Sequence, residues 1–81
     1  MGIEQFLTHE DKLESLTALR ELTDGYVSSL CEEVGLSYSD ESIQALRNSL
    51  EIPPYGYTKK MMIINSFDNL KKIELKIEEI K

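Results

Sequence analysis

The chain has 81 residues and a net charge of −6, with 41% hydrophobic and 30% charged residues. That length excludes a multidomain machine, and an ordinary apolar fraction with periodic spacing argues against an intrinsically disordered chain. Cys31 is the only cysteine, so no disulfide closes within the chain. The thin core of so short a domain must be held by helix packing or by a partner chain.

The first structural signal is Thr8-His9-Glu10-Asp11. A hydroxyl N-cap with acids in the first turn favours a helix start, because the free N–H groups and the dipole there are positive. Leu13, Leu16, Leu19, Leu22, Tyr26, Val27, Leu30 and Val34 follow at steps of three and four. They read as one apolar stripe. The stripe is taken to keep its phase across Asp24-Gly25, so one long helix over about 8–34 is expected, straight or bent at Gly25. Gly35 is the natural stop, since glycine accepts the left-handed conformation that ends helices.

Ser39 is a good N-cap with Asp40 and Glu41 behind it. Ile43, Leu46 and Leu50 follow on one face, which predicts a short helix over about 40–51. Pro53-Pro54 must end it, and residues 52–58 form the linker, with Thr58 as the next N-cap.

From Lys59 onward there is no Gly or Pro. Ile63, Phe67, Leu70, Ile73, Ile77 and Ile80 fall on one face of a helix over about 59–80, nearly at coiled-coil spacing. Asp68 stands four residues before Lys72, a supportive pair. Residues 72–78 also alternate charged and apolar, which would suit a hairpin with 61–64. The helix places more apolar residues and suits Leu, Met, Lys and Glu better, and it leaves Leu75 exposed. The expected fold is therefore a single all-α domain of three helices over residues 1–81. Its two long helices pack antiparallel, with a short one between. An α+β fold with a C-terminal β-hairpin is the alternative.

Chemistry is scarce. His9 and Cys31 are single, too few for a zinc site. Cys31 stands near a helix C-terminus beside Glu32-Glu33, where a thiolate is disfavoured. Neighbouring acids on a helix point apart and make no acid–base dyad. No phosphate-binding glycine loop or nucleophile elbow occurs. No catalytic residue, metal or cofactor is expected. The longest apolar run, residues 61–64, is far too short to span a bilayer. No membrane association is expected, and a reducing, cytoplasmic setting is.

The charge is split. Residues 1–52 hold three basic against eleven acidic residues, −8, and residues 53–81 hold six against four, +2. Either both are solvated faces, or the basic segment docks on the acidic part of the same or a neighbouring chain. Two arginines are few for reading nucleic acid, so none is expected to bind directly.

These features favour a non-enzymatic regulatory or adaptor protein acting by protein–protein contact, self-association included. Phe67, Leu70, Ile73, Ile77 and Ile80 would supply the seam, because the short helix cannot cover the whole of the third. Tyr55 and Tyr57 would either cap the core or anchor the interface. The alternative is an acidic inhibitor or nucleic-acid mimic. It would block a basic site through Glu32, Glu33, Asp40 and Glu41.

Overall fold

A computed structural model describes residues 9–80. Three helices follow one another: α1 (His9–Val34), α2 (Asp40–Asn48) and α3 (Tyr57–Ile80). No strand occurs among the described residues. The hairpin alternative does not form, because residues 72–78 continue α3 and turn Leu75 out to solvent. The Thr8 cap, the apolar residues before it and the His9 side chain lie outside the described residues.

Each boundary has a local cause. α1 ends as the sequence predicts. Gly35 takes a φ of 75°, its N–H donates to Glu32 O (3.2 Å), and Leu36 N–H donates to Cys31 O (2.8 Å). This pair of bonds satisfies carbonyls that a helix end leaves free. α2 starts on Ser39, whose Oγ accepts from Ser42 N–H (3.1 Å).

α2 stops three residues earlier than its apolar spacing suggests. Ser49 leaves the helix with extended backbone, and its N–H donates back to Ala45 O and Leu46 O. Leu50 is therefore fully exposed rather than part of the α2 stripe. Lys60 holds the chain beyond that point. Its buried side chain reaches back from α3, and its Nζ donates to Ser49 O (2.6 Å) and Glu51 O (3.3 Å). An ammonium out of water needs such acceptors.

α3 starts one residue before the linker was expected to end, and not on Thr58. Gly56, at φ 96°, donates from its N–H to Pro53 O (2.9 Å), while its carbonyl accepts from Lys60 N–H (3.2 Å). A residue with a side chain is strained at that φ.

α1 and α3 run antiparallel. Glu33 near the end of α1 pairs with Lys59 near the start of α3, and Arg20, Glu21 and Asp24 lie by Leu70 and Glu74. The core gathers where all three helices meet: Val27, Leu30 and Cys31 from α1, Ile43 and Leu46 from α2, Ile63, Ile64, Phe67 and Leu70 from α3. α2 packs on α3 rather than on α1. Beyond α2 the molecule is a bare two-helix stem, sealed by Ile77 at 3% exposure.

Gly25 lies within α1, exposed, with nothing inside 4 Å of where a Cβ would stand. No packing requires it. Gly25→Ala is expected to raise stability by about 0.5–1 kcal/mol, since glycine loses more backbone freedom in a helix. Urea unfolding measures this, and a loss of stability would mean the site serves a need other than helix continuity.

Candidate functional site

The apolar stripe of α1 does not stay on one face. Leu16, Leu19 and Leu22 follow at steps of three, and each such step falls roughly 60° short of a full turn. The stripe therefore winds off the core. Leu19 is 47% exposed, Leu22 74% and Tyr26 48%, whereas Val27, Leu30 and Cys31 are buried. Leu13 and Leu16 remain half-buried. The expectation of one apolar stripe is corrected here: Leu19, Leu22 and Tyr26 leave the face on which Val27, Leu30 and Cys31 are buried.

These three residues form one wall of an open groove. Half-buried Thr23 also lines it, and Ser66, Asn69, Lys72 and Ile73 of α3 form the other wall. The groove holds about 510 Å³. That volume would suit a small ligand, but the groove is a trough along the molecule rather than an enclosed cavity. Such a shape suits a helix or another flat surface better than a substrate.

Its position follows from how α2 docks. Asp68 and Lys71 face α2, where Arg47 pairs with Asp68 and Asp40 with Lys71 (3.5 Å). Ser66, Asn69 and Ile73 stand on roughly the opposite side of α3, at 100° per residue. The groove is thus on the side of the α1–α3 pair that α2 leaves uncovered.

The predicted seam is divided. Phe67, Leu70 and Ile77 are buried within the chain, and Ile73 and Ile80 are half-buried. Only Ile73 reaches the groove. Tyr55 is half-buried against the core, and burial pushes its phenol above the ordinary value, with the nearby Cys31 adding to the rise. Tyr57 stands out in solvent. Of the two roles open to these tyrosines, Tyr55 takes the core cap and Tyr57 stays free for contact.

The acidic residues are partly engaged. Glu33 pairs with Lys59 (2.6 Å) and Asp40 with Lys71, while Glu32 and Glu41 are exposed. Asp68 turns to Arg47 on α2 and not to Lys72. Basic C-terminal residues thus dock on acidic ones earlier in the same chain. The pairs are exposed, so each is worth about 0–1 kcal/mol. Lys71 also lies over the Phe67 ring, 4.9 Å from its centre.

Two further groups have defined settings. Cys31 is fully buried in the core, and burial raises its thiol above the ordinary value. A protonated thiol in an apolar setting is a poor nucleophile. Tyr38, in the α1–α2 connection, donates from its hydroxyl to Asp24 Oδ1. Partial burial, then that bond and the negative charge of Asp24, push its phenol well above the ordinary range. Tyr38 thereby ties the connection back onto α1.

Among the described residues, no three His, Cys, Asp or Glu side chains gather as a metal-binding group. No described helix is long and apolar enough to cross a membrane. No family model, no curated protein and no solved structure matches the chain.

Proposed function

We propose that this chain is a non-enzymatic regulatory or adaptor protein that acts by protein–protein contact, its own self-association included, through the uncovered side of the α1–α3 pair. One observation carries this reading. Leu19, Leu22 and Tyr26 hold large apolar surface in water beside Ile73. Contiguous apolar surface of that kind is costly to leave open and marks contact sites.

The surface differs from the one read in the sequence. Ile77 and Leu70 already seal the chain's own helices, and the residues left for a partner come mostly from α1. The acidic-inhibitor reading has less support, because Glu33 and Asp40 are held by the chain's own lysines.

Light scattering tests self-association. The wild-type mass is expected to exceed 9.3 kDa as concentration rises, and to do so equally at high salt, since apolar contact is not screened. Leu22→Asp should stay at the monomer mass with unchanged helix content. A wild type that remains monomeric at every concentration would overturn the self-association reading, and a mass that collapses with salt would favour the acidic face instead.

A further inference from the structure

We infer that a second copy of this chain fills the open side, with its α1 lying along α3 of the first, to build an antiparallel four-helix bundle. This rests on the self-association reading above and adds the arrangement.

Three observations lead there. The first is area. The molecule measures 47 × 22 × 20 Å, so the outline of its open side is on the order of 1,000 Å², room for the roughly 800 Å² per partner of a standard interface. α2 is on the far side and does not obstruct it.

The second is shape. On the open side α1 carries a ridge of Leu19, Leu22 and Tyr26, while the α3 wall carries the small polar Ser66 and Asn69 together with Lys72 and Ile73. A two-fold axis parallel to the helices keeps each residue at its level and lays each ridge over the partner's α3 wall, where Ser66 and Asn69 leave room and Ile73 offers apolar contact. A two-fold axis across the helices would set ridge against ridge and bring Lys72 toward its own copy, a repulsive pair.

The third is helix direction. α1 runs antiparallel to its own α3. A parallel two-fold axis therefore sets it antiparallel to the partner's α3 as well. Every neighbouring pair then opposes its dipoles, as in up-and-down four-helix bundles; a two-fold axis across the helices would oppose them equally, so direction supports the bundle while the ridge and Lys72 choose its axis.

Cross-linking distinguishes the arrangements. Leu22→Cys and Asn69→Cys are made separately on a Cys31→Ala background, mixed and oxidised under native conditions. A disulfide needs Cα atoms within about 7 Å. The expected result is covalent dimer in the mixture and its loss when either variant is oxidised alone. Covalent dimer from Leu22→Cys alone would overturn this arrangement in favour of ridge on ridge. A wild type that is dimeric by mass, with no cross-link in any combination, would overturn it in favour of another surface. A monomeric wild type would overturn the self-association reading itself, and the arrangement with it. If Cys31→Ala lowers helix content, the same variants are oxidised with Cys31 in place, because that thiol is fully buried and out of reach.

Discussion

Ile63→Ala is expected to lower stability by about 2–5 kcal/mol, the range for emptying a fully buried branched side chain. Ile63 is 0% exposed and belongs to the cluster that draws on all three helices. Truncation there removes apolar contacts to the other helices at once, and a short α2 tethered by two loops cannot slide far to fill the space. A chain of this size has a total stability of roughly 4–12 kcal/mol, at 0.05–0.15 kcal/mol per residue. The variant would therefore give up a large fraction of it. Urea unfolding followed by circular dichroism should show a lower midpoint with an unchanged slope. Leu75→Ala, at an exposed position of the same helix, should change stability by no more than about 0.5 kcal/mol. Equal effects at the two positions would sink the placement of the core.

The second large effect is Ile77→Asp. Ile77 seals the two-helix stem beyond the reach of α2. Replacing it removes buried apolar surface and forces a carboxylate into its place, for a loss of about 3 kcal/mol or more. Burial raises the folded-state pKa of the introduced carboxyl above its unfolded value. The folded state then holds the proton more tightly, so the deficit is largest at neutral pH and shrinks as the pH falls through that raised value. The loss should appear as reduced helix content and a lower urea midpoint at any protein concentration. A variant that keeps its fold and stability but halves the mass in solution would show that Ile77 belongs to an interface between chains.

The two substitutions also mark what is legible in the sequence. The helix stops at Gly35 and starts at Ser39 could be read directly, because capping chemistry is local and involves residues a few positions apart. The pattern of α3 is less decisive, because residues 72–78 also alternate charged and apolar; the helix is favoured since it places six apolar residues on one face where strands place three. What covers that stripe could not be read. Phe67, Leu70 and Ile77 look the same in sequence whether α1 or another chain lies on them, and only the antiparallel pairing decides. The end of α2 escaped because a short helix gives few turns to read, and the contact that holds the chain beyond it comes from Lys60 of the next helix, reaching back to the carbonyls of Ser49 and Glu51. The groove is hidden from residue spacing alone. Leu16, Leu19 and Leu22 satisfy a three-or-four rule at every step, yet successive threes accumulate a rotation that takes Leu22 out of the core. Adding up the angles along α1 would have exposed the ridge.

The one-sided seat of α2 has a consequence for the order in which the chain organises itself. α2 rests on α3, its neighbour across a short loop stapled by Lys60. α1 meets α3 only after the whole intervening chain has been closed. The entropy lost in closing a loop grows with its length, and non-local contacts are rewarded only after that loss. Loop closure alone therefore favours early pairing of α2 with α3 over docking of α1. Until α1 arrives, the surface of α3 that will bind it is open to any other copy of α1, so the same geometry that builds the monomer also provides a route to exchange of that helix between chains.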